Sequence, residues 1–219
     1  MVVHGGQSLS TEPTSALQLS VLRMIPLAGA IRRAVRGSGV VVCRPRLRLR
    51  GWNGEDTSPV HDLDGLLDEL SGRFGPVPVV LVWHSMGARA ALRVAGHPLV
   101  SAAAGLAPWL PPGEPVAQLA GRRIFLVHGR ADKVTKPSDT WAYAERARSV
   151  TQVQTIELPN GDHAMLRGDR GRRPGGAAQL PGDSAPLPGD SGPLHGARLW
   201  HRIAAEFTRT SLGLPQDGP

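Results

Sequence analysis

Cysteine is nearly absent from this sequence. Cys43 is the only one, which excludes an intrachain disulfide framework and fits a reducing compartment. Aromatic residues make up only 4% of the chain, and Lys133 and Lys136 are its only lysines. Long apolar runs are missing too. The most apolar early stretch, 16–31, is interrupted by Gln18, Arg23 and Pro26, and is too short and polar to span a bilayer. The opening Met1-Val-Val-His-Gly-Gly has no basic region followed by an apolar segment, so no secretory leader is expected and the cytoplasm is the expected location. His61, His97, His195 and His201 show no spacing with cysteines or acids that suggests a zinc site. Neither a metal nor a cofactor is expected.

The 219 residues suffice for one ordinary domain, and 41% hydrophobic content permits a buried core. The formal charge of +7 is local. Between Pro13 and Gly54 stand Arg23, Arg32, Arg33, Arg36, Arg44, Arg46, Arg48 and Arg50 without one acid, and the rest of the chain is close to neutral. Glycine and proline are also uneven. They concentrate in 168–196, where Leu180-Pro-Gly-Asp-Ser-Ala-Pro is followed directly by Leu187-Pro-Gly-Asp-Ser-Gly-Pro. Such composition buries too little apolar surface to offset the entropy of ordering it. The expected organisation is a core over 1–166, a disordered Pro/Gly-rich insertion over 167–196, a core helix over 197–212 and a tail over 213–219.

The remainder alternates two patterns. Segments 40–43, 77–83, 99–106, 124–128 and 153–158 are short apolar runs bounded by turn residues, as in strands covered on both faces. Segments 16–36, 60–74, 85–96, 138–150 and 197–212 carry apolar residues at helical spacing. This alternation predicts a three-layer α/β/α sandwich with a mostly parallel sheet, whose chemistry gathers at the carboxyl ends of the strands.

One strand runs straight into a helix: Val79-Val-Leu-Val-Trp-His-Ser-Met-Gly-Ala-Arg-Ala-Ala-Leu, with Ser85 at the turn. A serine there is held in a strained, exposed geometry at a helix N-terminus, where the dipole favours developing negative charge. His84, Ser85, Met86 and Gly87 resemble the nucleophile elbow of the α/β-hydrolase superfamily, Gly-x-Ser-x-Gly, in its His-Ser-Met-Gly version. Trp83 stands where that motif has its first glycine. The resemblance covers nearly all of 1–166 and then 197–212. It is nearest to small, capless bacterial members with an Arg-Gly-Trp-Asn stretch, here Arg50-Gly51-Trp52-Asn53. It implies a reduced α/β-hydrolase fold lacking the first two strands.

The resemblance extends to two further loops. Gly129, Asp132 and Val134 match the Gly-x-x-Asp-x-Val stretch that carries the superfamily's triad acid, and His163 in Gly161-Asp162-His163 stands where the histidine is kept. The order Ser85, Asp132, His163 is the superfamily's order. By this resemblance His163 is the base and Asp132 its orienting acid, while Asp162 is badly placed to orient the adjacent ring. Oxyanion donors are implied at the Met86 amide and at Gly6 or Gln7, after His4-Gly5-Gly6. His84 and His128, at strand ends, read as structural. Trp52, Trp109 and Met165 are candidates for a small apolar acyl pocket.

About fifteen residues separate the strands where capped members insert a domain, so a shallow site is expected. The expected function is that of a serine hydrolase cleaving small carboxylic esters or thioesters through a Ser-His-Asp triad and an acyl-enzyme. The alternative, drawn from Trp83 and the inserted repeat, is a catalytically weak scaffold with a binding role. Arg44–Arg50 alternates with period two around Pro45, which suits a charged, guarded edge strand. Without interleaved aromatics or a known module, nucleic acid is not the expected partner. A small-molecule ester is, with no membrane partner, and the oligomeric state stays open.

Overall fold

A computed structural model describes residues 1–166 and 196–215. The expected insertion over 167–196, apart from Gly196, and the last four residues of the tail lie outside the described residues. Five strands form one parallel sheet in the order β1 (Val2–Val3), β2 (Val79–His84), β3 (Val100–Leu106), β4 (Arg123–Gly129) and β5 (Gln152–Leu158). Parallel neighbours need crossovers. Helices α1 (Leu19–Leu22), α2 (Met24–Ala34) and α3 (Ser58–Phe74) lie between β1 and β2, α4 (Met86–Val94) follows β2, and α5 (Pro137–Ala147) joins β4 to β5. Helix α6 (Ala197–Ser211) is the last element among the described residues.

Two cores result, one on each face of the sheet. Leu81 and Trp83 of β2 face α3, α4 and α5 through Leu63, Leu67, Leu92 and Tyr143. Val80 and Val82 face α2 and α6 through Leu27, Ile31, Trp200 and Ile203. Alternate residues of one strand thus serve opposite layers, and β2 reads as a continuous apolar run because both faces are covered. β5 exposes Gln152, Gln154 and Glu157, as befits an edge.

Two expected elements differ in the structure. The single helix over 16–36 is divided at Arg23 into α1 and α2. Pro26 has no N–H to donate to the Leu22 carbonyl, so the helix restarts at Met24 with the proline in its first turn, where that donor is not needed. The strand expected over 40–43 and the charged edge strand over 44–50 are not regular strands. The first is joined to β1 by the Val2 N–H donating to the Cys43 carbonyl at 2.9 Å. The second threads past the chain after β1: Leu47 N–H donates to His4 Nε2, Thr14 N–H to the Arg48 carbonyl and Arg50 N–H to the Glu12 carbonyl. Two isolated bridges, Gln7 with Gly51 and Pro13 with Leu49, are all the pairing it makes. Pro45 cannot donate to a ladder. This edge is therefore covered by residues 7–14, and two of its arginines are paired, Arg48 with Asp62 and Arg50 with Glu12.

Helix α6 is fixed to the sheet by Phe207, whose ring stacks on Phe125 of β4 with centroids 5.2 Å apart and planes 11° from parallel. Phe207→Ala is expected to cost about 3–5 kcal/mol of stability. A lowered urea midpoint at unchanged slope checks it.

Candidate active site

The carboxyl ends of β2, β4 and β5 bring together the three residues expected to act together. Ser85 follows β2 directly and has φ 57° and ψ −123°, a conformation rare for a residue with a side chain. Close packing behind it forces that turn. A Cβ on Gly87 would lie 2.3 Å from the His4 carbonyl oxygen, so the first turn of α4 lies directly against the end of β1. The loops after β4 and β5 meet in the same way, since a Cβ on Gly129 would lie 2.0 Å from the Gly161 carbonyl oxygen. Ala131 N–H donates to that carbonyl, and Arg130 N–H donates to Leu158. Asp132 and His163 ride on these joined loops.

His163 stands between the other two. Its Nδ1 is 2.8 Å from Asp132 Oδ2, and its Nε2 is 3.0 Å from Ser85 Oγ. An ionised carboxylate only accepts, so Nδ1 carries the proton and Nε2 offers its lone pair to the serine hydroxyl. The Asp132 carboxylate is fully buried. Burial alone pushes its pKa up, but hydrogen bonds from His128, His163 and the Thr135 and Val134 backbone N–H groups hold it well below the usual carboxylate range. Asp162, adjacent in sequence, instead accepts the Leu166 N–H at 2.9 Å through its carboxylate.

Two buried histidines support this row. His84 donates Nε2–H to the His163 carbonyl at 2.7 Å, with the two rings 4.8 Å apart. Burial, and then the neighbouring His163, push its pKa down to about 3, so the ring is neutral. His128 lies between Thr140 Oγ1, 2.7 Å from Nδ1, and Asp132 Oδ2, 3.1 Å from Nε2. Sequence reasoning left both as structural and missed Thr135 and Thr140. The available signal was a polar residue at the end of an otherwise apolar buried strand, which must find a partner.

The expected oxyanion and pocket residues divide. Met86 begins α4, where the first N–H groups lack intrahelical acceptors. Gln7 does not fit the expected role, because its N–H donates to the Arg50 carbonyl at 2.8 Å. Gly6 lies against Met86, with its missing Cβ 2.5 Å from Met86 Cε. Trp52 and Trp109 do meet, edge to face at 6.2 Å, and the Trp109 backbone N–H donates to the Ser85 carbonyl. Between them sits the Arg89 guanidinium, 3.8 Å and 4.6 Å from the two ring centroids and paired with Glu114 at 2.5 Å. Met165 is a correction: it is buried in the opposite core beside Trp200 and Leu158, away from the tryptophan pair.

Trp83 is completely buried without disturbing the elbow. The close helix–sheet contact is made over β3 instead, where a Cβ on Gly105, the register partner of Trp83, would lie 3.4 Å from the Ala88 Cβ. Among the described residues no group of three or more His, Cys, Asp or Glu is arranged to hold a metal ion, and no helix is long and apolar enough to cross a membrane.

Similarity to known proteins rests on structure alone. No known family profile matches the sequence, and no curated protein matches it. Among solved structures, Est1E from Butyrivibrio proteoclasticus superposes with a TM-score of 0.58 at 11% identity, covering 97% of this chain and 87% of that one. An alpha-beta serine hydrolase homologue from Coxiella burnetii gives 0.52 at 17% identity, covering 75% and 77%. The fold is that of the α/β hydrolases. A Bacillus cereus carboxylesterase with this fold gives 0.50 at 18% identity, covering 74% of this chain and 79% of its own. The five strands found here form a reduced version of that α/β-hydrolase sheet.

Two outcomes are expected at this site. Trp83→Gly should lose about 3–5 kcal/mol of stability, measured by denaturant titration, without a gain in turnover of a p-nitrophenyl ester. His84 contributes a pH dependence. With a native pKa of about 3 against an ordinary 6.5, the native state binds fewer protons than the unfolded chain between those values. Stability is then full above pH 6.5 and declines as pH falls through the window, by up to about 1.4 kcal/mol per pH unit. Urea midpoints at pH 7 and pH 5 should differ less in His84→Gln than in the wild type.

Proposed function

We propose that this protein is a serine hydrolase that cleaves small carboxylic esters or thioesters through an acyl-enzyme on Ser85. The observation that carries this reading is the unbroken hydrogen-bonded row from Ser85 Oγ through the His163 ring to the buried Asp132 carboxylate. The carboxylate at its end is held in the ionised form by its donors, as the orienting acid of such a row must be.

The sequence of events follows from that row. The Ser85 oxygen attacks the substrate carbonyl carbon as His163 Nε2 takes its proton. The carbonyl π electrons move onto oxygen, and the Met86 and Gly6 amides are the donors proposed for it. The tetrahedral species collapses, the bond to the alcohol or thiol breaks, and His163 returns the proton to that leaving group. Water then repeats the cycle on the acyl-enzyme and releases the acid. Throughout, Asp132 keeps the Nδ1–H of His163 in place and opposes the positive charge that forms on the ring.

Substrate size follows from what stands above the sheet. Between β3 and β4 the chain forms only the short turn Ala117–Leu119, with no helical cap. Trp52 and Trp109, locked around Arg89, act as a rigid wall on one side and suit a short acyl group. Retention of the elbow angle with Trp83 in place supports activity over a purely binding role.

A fluorophosphonate probe should label the wild-type protein covalently at Ser85. Ser85→Ala should abolish labelling and lower kcat on p-nitrophenyl acetate by about a thousandfold or more. Folded wild-type protein that takes up no probe would overturn the proposal.

A further inference from the structure

His128 has no part in the row from Ser85 to Asp132, yet it meets the same atom as His163. Asp132 Oδ2 faces three side-chain donors: His163 Nδ1 at 2.8 Å, Thr135 Oγ1 at 2.9 Å and His128 Nε2 at 3.1 Å. Oδ1 accepts the Val134 and Thr135 backbone N–H groups at 2.7 Å and 2.9 Å. Five donors thus meet a carboxylate that offers roughly four lone-pair directions, and the crowding falls on Oδ2.

We infer that His128 is a positioning residue for the proposed hydrolysis, sharing Oδ2 with His163 and so limiting how strongly the carboxylate draws on the His163 proton. The inference rests on the catalytic reading of Ser85, Asp132 and His163. Thr140 satisfies only one nitrogen of the buried His128 ring. Its other nitrogen is aimed at the oxygen that His163 uses. The ring cannot turn away: His128 and Thr140 are fully buried, and Trp141 stands edge-on to the imidazole at 6.2 Å. Because Asp132 accepts, Nε2 is a donor; in the neutral ring Nδ1 is then bare and takes the Thr140 hydroxyl proton.

A hydrogen bond donated to Oδ2 draws off charge that would otherwise stabilise the His163 imidazolium. Its loss makes the carboxylate more basic toward His163, so the base stays protonated to higher pH. Other groups face His163 from the elements around it. His84 of β2 lies beside the ring, Arg23 between α1 and α2 couples to both His84 and Asp162, and Asp162 follows β5. None of their side chains is among the donors on the Asp132 carboxylate described above.

The test is the pH profile of kcat/KM on a p-nitrophenyl ester. In His128→Phe, which keeps ring volume and removes the donor, the acid limb should move up by about 0.5–1 pH unit. His128→Gln, which restores an N–H, should return the limb toward the wild-type position. A limb unmoved in His128→Phe, or moved equally by both substitutions, overturns the inference. Proton NMR of the wild-type protein requires no core substitution: beside the imidazole N–H signals of His4 and His84, downfield signals assigned to His163 Nδ1–H and His128 Nε2–H are expected, and absence of the His128 signal overturns the shared oxygen. Full turnover by Ser85→Ala would defeat the triad reading, while the NMR pair would still judge the bond from His128. An inactive Ser85→Ala beside an unmoved limb defeats the His128 inference alone.

Discussion

A buried negative charge organises the end of this molecule that carries Ser85, Asp132 and His163. The Asp132 carboxylate has no access to water, and in a poorly polarisable interior it persists only where donors surround it. Those donors come from β4, from the turn that Asp132 itself begins, and from the loop after β5. The charge can therefore exist only if β4 and β5 are neighbours in the right register and their loops touch. The glycine contact between 129 and 161 provides that closeness. Sheet order, loop length and the ionisation of one side chain form a single constraint.

This explains which parts of the molecule were legible in the sequence. Four of the five strands and the larger helices follow from apolar periodicity and turn residues, because burial on one or two faces leaves a repeating trace. Ser85, Asp132 and His163 were legible as members of motifs in a known order, and the structure places them within hydrogen-bond reach. His128 and Thr135 were not. Their role depends on a three-dimensional meeting at Oδ2, and a histidine at a strand end is compatible with many partners. The edge was misjudged for a related reason: period-two arginines resemble a strand, but whether a ladder forms is decided by the neighbour, here the irregular stretch 7–14. Met165 is apolar and close to His163 in sequence, yet its side chain belongs to the core on the other face.

Electrostatic balance is reached locally. The arginine-rich segment accounts for the net charge, yet Arg48 and Arg50 find carboxylates on other elements. Near Ser85 the side chains of Arg89 and Arg93 share Glu114, whose side chain is almost completely buried. Burial pushes the Glu114 pKa up, but hydrogen bonds from Arg93 and Arg89 hold it below its ordinary value. An arginine caged by two indoles and one carboxylate is a stiff object. Placed one helical turn beyond Ser85, it holds the two indoles beside that serine without contacting it.

Gly161, two residues before His163, lies with its missing Cβ 3.2 Å from the Trp200 ring in α6. Ser85, Asp132 and His163 all precede that helix in the chain. A ribosome has therefore made every reactive group of this site well before it makes the surface on which the histidine loop rests. Assembly of the site is thus coupled to α6, and the histidine loop gains its support only after that helix has been made.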